Sequence, residues 1–241
     1  MKVAAYTPLH YGKTYLKWAI ESVRPFVDKH VILYTSLPSY GHKSNLLCPD
    51  TFFELKAIAE SFPHVEWYAG RWANESQHRN AVLEHVKGYD LLLPVDADEV
   101  LDPEDLHSAI RQVYDANKAR NWLNHGFIHM WRSFHWHCRD AMSPVRMIDL
   151  RHDSGTDSYR ANTFHFGYAQ PIRLMAYKWS CHGHIAELKP GWLQKKYINW
   201  RPGMDDVHPT CDNIWNPRIF DPLAMPEVLW DHPYWGKGLI E

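Results

Sequence analysis

Cysteine is scarce in this 241-residue chain, with four residues, Cys48, Cys138, Cys181 and Cys211, and no C-x-x-C pair. That usage excludes the dense disulfide framework of small secreted domains and suits thiols in a reducing compartment. No run approaches the roughly 18 apolar residues that a membrane-spanning helix needs. The opening MKVAAYTPLHYGK lacks the long apolar stretch of a secretory signal. A soluble, cytoplasmic protein is therefore expected. Charge of one sign is missing too: the formal net charge is −2 and the pI about 6.8, so no global field draws the chain to nucleic acid or an anionic membrane. A local basic cluster, Lys189, Lys195, Lys196 and Arg201, is the one exception and reads equally as solvated surface. Internal repeats and low-complexity linkers are absent. The length suits one large domain over 1–241, built from a first half, 1–115, and a second half, 116–241.

Two residue types are in excess, 12 tryptophans and 17 histidines. Tryptophan offers a flat apolar face for stacking on a sugar or a base. Histidine in such number raises the possibility of zinc. The first half alternates between short apolar runs and segments of helical periodicity. Lys2 to Tyr6 reads as a strand ending in a loop at Thr7-Pro8. Tyr15, Trp18, Ala19, Ser22 and Val23 recur at helical spacing until Pro25. Val31 to Tyr34 reads as a second strand, and Pro38 to Pro49 as a loop with Gly41 and Asn45 as breakers. Thr51 with Glu54 has the pattern of a capping box, as does Asn74 with Gln77. The latter opens a helix placing His78, Ala81, Val82 and His85 on one face and closing at Gly88. Between them Val65 to Tyr68 reads as a third strand.

The densest signal is Leu91 to Asp105, LLLPVDADEVLDPED. An apolar strand stops on Asp96-Ala97-Asp98, and a helix restarts with Asp102 as N-cap, Pro103 at N1 and acidic residues at the positive end of the dipole. Capping accounts for Asp102, Glu104 and Asp105 but not for Asp96, Asp98 and Glu99. If the segment stays extended, residues two apart share a face, and Asp96 and Asp98 converge on one hard cation such as magnesium or manganese. The carboxyl end of a strand is also where an open α/β sheet presents its ligand crevice. Such a cation is chiefly useful for holding phosphates. The second half is less regular: Gly126 to Trp136 and Val145 to Leu150 read as strands paired across the intervening connection. Asp153 to Tyr159 reads as a loop, Thr163 to Tyr168 as a strand or turn, and Pro171 to Trp179 as a helix. Beyond Pro190 a proline- and tryptophan-rich tail is expected to wrap the rest, being too aromatic for solvated disorder.

These features resemble the GT-A glycosyltransferases, in particular the family-2-like branch. The residues that carry the resemblance are Val3-Ala4-Ala5-Tyr6-Thr7-Pro8, Glu75-Ser76-Gln77-His78-Arg79-Asn80, VDADEV at 95–100 and Phe164-His165-Phe166-Gly167-Tyr168, in that order from Met1 to Trp179. The resemblance implies a Rossmann-like mixed α/β fold with a mostly parallel sheet, and a nucleoside-diphosphate sugar as donor, a UDP-sugar first among them. It also implies Mn2+ or Mg2+ held by the Asp-x-Asp and a later histidine. Carried over, Asp96 would touch the ribose or metal-bound water, and Asp98 and His165 the metal. Arg79 would contact the nucleotide or steady the aspartates, and Thr7, Pro8 and Tyr34 would line the base pocket. A leaving diphosphate develops negative charge, for which Lys178 and Arg173 are candidate partners.

One departure from the family pattern stands out. The Glu-Asp pair that supplies the general base in inverting members has no counterpart in the second half. Asp140, Asp153, Asp157 and Glu187 are the remaining candidates, with Asp140 favoured for its place after the Phe127 to Trp136 strand. Trp131, Trp136, Trp179 and Trp192 are candidates for stacking on an acceptor. On one regular strand Trp131 and Trp136 would face opposite sides. The acceptor class stays open among glycan, lipopolysaccharide and DNA base hydroxyls. Two readings from other classes remain: a zinc hydrolase or structural zinc protein using His135, His137, Cys138, Cys181, His182, His184, His208 and Cys211, and a non-catalytic nucleotide-sugar binding module. The zinc spacings fit poorly with the close ligand pairs of structural sites.

Overall fold

The computed structural model describes residues 1–38 and 44–241; Gly41 of the expected loop lies outside the described residues. The first half runs β1 (Val3–Leu9), α1 (Leu16–Val23), β2 (Lys29–Thr35), α2 (Phe52–Glu60), β3 (Val65–Gly70), α3 (Glu75–Asn80), β4 (Leu91–Pro94), β5 (Glu99–Leu101) and α4 (Pro103–Ala116). The second half adds β6 (Asn121–Asn124), β7 (Phe127–Trp131), β8 (Trp136–Cys138), β9 (Val145–Asp149), β10 (Thr156–Tyr159), β11 (Thr163–Tyr168), α5 (Ile172–Cys181) and β12 (Arg218–Ile219).

A seven-stranded sheet in the order β10-β6-β9-β4-β1-β2-β3 forms the centre. Strands β4, β1, β2 and β3 are parallel, and β9 is inserted antiparallel between β4 and β6. Parallel strands covered on both faces are continuous apolar runs, and Val3 to Tyr6 and Leu91 to Leu93 are buried without alternation. Each of those leucines contributes about 1.5–3 kcal/mol on burial. Helix α4 packs Leu106, Ala109, Ile110 and Val113 against this sheet at helical spacing, with Asp102 accepting from the backbone of Glu104 and Asp105. The architecture is mixed α/β with a mostly parallel sheet flanked by helices, as the alternating pattern implies.

A second sheet, in the order β12-β8-β7-β11-β5, stands beside the first. It corrects the expectation of one strand from Gly126 to Trp136. Arg132, at φ 58°, turns the chain, so that Trp131 and Trp136 lie on the antiparallel neighbours β7 and β8. Strand β9 pairs with β4 and β6 rather than across its connection to β8, and Thr156–Tyr159 is a strand and not a loop. Strand β1 also continues through Thr7-Pro8 to Leu9, where it is central and paired on β2. Helix α3 is shorter than the periodicity suggests, passing at Ala81–Glu84 into a tighter 3-10 turn.

The tail wraps as expected. Asp231 accepts from Lys17 at 2.7 Å and from the Trp18 indole at 2.6 Å, the His232 ring stacks on Tyr15, and the Ile240 amide donates to the Arg132 carbonyl. Among the described residues no helix is long and apolar enough to cross a membrane.

Thr7 sits inside this core. Its hydroxyl donates to the Val95 carbonyl at 2.7 Å and lies 2.9 Å from His30 Nε2. With the hydroxyl proton committed to Val95, His30 donates through Nε2, and its Nδ1 has no partner among the described residues. Burial pushes the His30 pKa down to about 3. The denatured chain, with an ordinary histidine near pH 6.5, therefore binds the extra proton below that pH, and stability present above pH 6.5 is lost as pH falls. Urea unfolding from pH 7 to 5 is expected to weaken with a contribution from His30 of up to about 1.4 kcal/mol per pH unit. His30→Gln should flatten the profile by that share, whereas parallel profiles would show that His30 stays out of the titration.

Candidate active site

The cross-strand register of the second sheet assembles the site. Glu99 on β5 lies opposite His165 on β11, and His165 lies opposite His129 on β7. Residues opposite one another share a face. The row therefore carries the acidic turn after β4 to the two histidines. The turn itself is tight, with the Glu99 amide donating to the Asp96 carbonyl at 3.0 Å and the Phe166 amide to the Asp98 carbonyl at 2.7 Å. The extended geometry that would set Asp96 and Asp98 on one face is absent, because the segment turns between β4 and β5.

The two aspartates have separate fates. Asp96 accepts from Arg79 Nη1 at 3.0 Å and from Arg146 Nη2 at 2.9 Å, and Arg146 Nε donates to Glu99 at 2.8 Å. Burial alone would raise the Asp96 carboxyl, but the two guanidiniums hold it well below the usual carboxylate range. Glu99 is 1% exposed, and burial keeps its carboxyl up at about 7 against the pull of Arg146. Asp96 is thus paired with two guanidiniums. Arg79 does steady the aspartate, as one of its two expected roles required. Arg146 was missed, since an arginine in a strand carries no motif.

Asp98 is free of arginine, and burial raises its carboxyl. Its Oδ1 lies 3.7 Å from His165 Nε2. His165 Nδ1 is 2.9 Å from His129 Nδ1. Burial pushes both imidazoles down to about 3, so both are neutral near pH 7. Gly167 makes room for this arrangement: a Cβ there would stand 2.5 Å from His165 Nε2 and 3.1 Å from Lys178 Nζ. Lys178 donates to the Gly167 carbonyl at 3.1 Å, lies over the Tyr168 ring and is lowered in pKa by burial.

Two cavities meet at this point. One, of about 240 Å³, is lined by Pro8, Gly12, Arg79, Asp98 and Cys181 among others. The other, of about 430 Å³, is lined by His129, Asp140, Tyr168, Trp179, His208 and Trp215 among others. Asp96, His165, Lys178 and His182 line both. At the first cavity Gly12, at φ 147°, backs onto the acidic turn; an added Cβ would stand 2.5 Å from Ala97 Cβ.

Of the residues expected at a base pocket, Pro8 lines the first cavity. Thr7 is fully buried and turned to Val95, and Tyr34 stacks on Trp67 at 5.2 Å, packed against Phe52, outside both linings. Arg173 is exposed on α5 and lines neither cavity, in contrast to Lys178.

Among the general-base candidates, Asp140 lines the second cavity, and its Oδ2 accepts from the Trp215 indole at 2.9 Å. Glu187 lines the same cavity but is exposed and paired with His184. Asp157 pairs with Lys118 on the edge strand β10, and Asp153 is exposed in the loop before it. Of the four expected tryptophans only Trp179 reaches the second cavity. Trp131 and Trp192 are buried in an aromatic core, and Trp136 packs on Trp200.

Trp215, which was not among the expected tryptophans, lines this second cavity beside Trp179. It is presented by a loop that Lys189 braces through Asp206 and Asp212, with the Asn213 amide donating to Asp206. Its φ of 61° is left-handed, a conformation that costs a bulky residue about 1–3 kcal/mol and tends to occur at ligand clamps. Loop tryptophans have no periodic signal, so nothing in the sequence distinguished this one.

Asp98 and His165 offer a carboxylate oxygen and a neutral imidazole nitrogen close together, a donor pair suited to manganese or magnesium with phosphate and water completing the shell. Among the described residues no group of three or more His, Cys, Asp or Glu side chains is gathered as a complete metal cage. The zinc candidates are correspondingly dispersed. Cys138 is buried on β8, the Cys181 thiol donates to the Tyr177 carbonyl, and Cys211 is exposed in the tail.

No family model and no curated protein matches the chain. Solved structures with a similar arrangement include S. aureus TarS 1-349, at 14% identity and a TM-score of 0.42 over 62% of this chain and 47% of that one. TarS 1-349 in complex with UDP-GlcNAc matches at 16% and 0.38, over 54% and 35%. The inositol-1-phosphate CTP transferase from T. maritima matches at 7% and 0.45, over 76% and 96%. The chain thus spans less than half the length of the TarS structures it matches. Overlaps of this extent assign neither family nor activity.

Proposed function

We propose that the protein is a metal-dependent glycosyltransferase that takes a nucleoside-diphosphate sugar in the smaller cavity and a hydroxyl acceptor in the larger one. The observation that carries this reading is the junction of two cavities at a shared wall bearing Asp96, His165 and Lys178, with Asp98 on one side and Asp140 on the other. A transfer between two bound molecules needs such a seam, because the reacting atoms must meet in near-attack geometry.

In this scheme Asp98 and His165 would hold Mn2+ or Mg2+, which when bound would supply Lewis-acid stabilisation to a departing diphosphate. Lys178 adds a positive charge at the seam. The Arg79–Asp96–Arg146–Glu99 network fixes the acidic turn that presents Asp98. Asp140 accepts the proton of the acceptor hydroxyl as that oxygen bonds to the anomeric carbon. The bond from that carbon to the diphosphate oxygen breaks, and its electron pair leaves with the diphosphate.

Calorimetric titration of UDP, GDP, CDP and dTDP, with and without manganese, tests the reading. Binding of one nucleotide only with manganese is the expected result and names the base. Absence of binding for all four, with tight zinc in its place, would move the assignment to a metalloprotein.

A further inference from the structure

The larger cavity contains a polar atom that the folded chain leaves unused. His129 is 2% exposed and lines the cavity, yet among the described residues its Nε2 has no hydrogen-bond partner. The nearest carboxylate oxygen, Asp140 Oδ2, is 3.9 Å away. That separation is too long for a direct hydrogen bond, but one oxygen atom between the two can bond to both. A buried unsatisfied imidazole nitrogen is costly, and in native proteins it marks a strain reservoir, a catalytic role or an absent ligand or water.

Resting on the transferase reading, we infer that His129 and Asp140 form a two-point subsite for the acceptor hydroxyl, with Trp215 as the residue that positions Asp140. The hydroxyl donates its hydrogen to Asp140 and accepts one from His129. The histidine row sets which ring nitrogen carries the proton. When His165 Nε2 gives its lone pair to a cation beside Asp98, its proton sits on Nδ1. From there it donates across the 2.9 Å contact to His129 Nδ1. His129 is then left with its proton on Nε2, facing the gap. A cation at the donor side in this way fixes the hydrogen-bond donor at the acceptor side.

Trp215 completes the subsite from the opposite direction. Its indole donates to Asp140 Oδ2, and its ring is wedged against Tyr168 at 4.7 Å, His208 at 4.5 Å and His129 at 5.3 Å. The carboxylate is therefore held at the mouth of the gap by a side chain with little freedom. Tyr168, Trp179 and Trp215 line the same chamber, and aromatic side chains there suit the carbon-rich face of a sugar. The acceptor class this favours is a carbohydrate hydroxyl.

The test uses the full chain labelled with 15N at histidine and tryptophan, titrated with methyl glucoside and methyl galactoside. The His129 Nε2–H and Trp215 indole resonances are expected to move together on addition of a glycoside, and a His129→Ala variant should lose the indole response. On adding magnesium, which is diamagnetic, and UDP, His129 should be found as the Nε2–H tautomer. With UDP-glucose or UDP-GlcNAc and water as acceptor, His129→Ala should release UDP at least tenfold more slowly at unchanged UDP affinity. His129→Gln, which restores a donor, should recover part of that loss. Trp215→Phe should lower kcat with KM for the nucleotide sugar unchanged. Manganese-dependent nucleotide binding with neither resonance responding to either glycoside would overturn the subsite alone. Glycoside response without any nucleotide binding would overturn the transferase reading and leave the sugar-hydroxyl subsite standing.

Discussion

Asp98→Ala is expected to abolish the manganese-dependent part of nucleotide binding, a loss of about 100-fold or more, while leaving the fold intact. Among the described residues the side chain makes no ion pair with an arginine, and its Oδ1 lies 3.7 Å from His165 Nε2. The hydrogen bond that holds the turn to β11 comes from the Asp98 carbonyl, which the substitution retains. Burial also raises the Asp98 carboxyl against the pull of Lys178, so its removal relieves a desolvation cost that outweighs the attraction lost. The thermal midpoint should therefore stay level or rise. Titration of the variant with the nucleotide identified for the wild type, at matched manganese, checks the point. Unchanged affinity would sink the cation site and, with it, the role given to the acidic turn.

The largest effect on stability is expected at Arg146, a residue that no motif identified. Arg146→Met keeps the volume and removes the one guanidinium shared by Asp96 and Glu99. Glu99 would be left as a buried carboxylate without its arginine. Breaking a buried pair in this way costs about 3–5 kcal/mol, or a fall in thermal midpoint of roughly 6–20 °C for a chain of this size. The double variant Arg146→Met, Glu99→Leu should recover most of the loss, because replacing both partners by apolar groups removes the orphaned charge. A single variant within about 1 kcal/mol of the wild type would mean that water already reaches this network.

The difference between these two residues shows what could be read from the chain. Asp98 was legible because a strand end, a turn and a helix cap follow one another within a few residues, and capping accounted for Asp102, Glu104 and Asp105 but not for the earlier acids. The α/β order was legible for the same local reason: buried parallel strands are unbroken apolar runs, and Thr51 and Asn74 cap their helices as their spacing suggests. What failed was non-local. The partners of Asp96 come from α3 and β9, so its pairing with two arginines had no signature near position 96. The positive φ at Arg132, which splits one apparent strand in two, falls on a residue type that does not advertise a turn. His129 was passed over because its role follows from being opposite His165 in the sheet, and register is not written in composition. Trp215, among so many tryptophans, was invisible until its loop had a shape.

The wall between the two cavities has a practical consequence. Asp96, His165, Lys178 and His182 line both sides, so the compartments are neighbours separated by little more than side chains. A single compound carrying a nucleoside-diphosphate mimic joined by a short tether to a sugar-like ring would occupy both at once. Its second half would bind at an effective concentration set by the tether rather than by the solution, typically millimolar for a short flexible link, and its avidity could exceed that of either half by about 10²–10⁴. For such a bivalent inhibitor the stiffness and span of the tether would matter more than the affinity of either end.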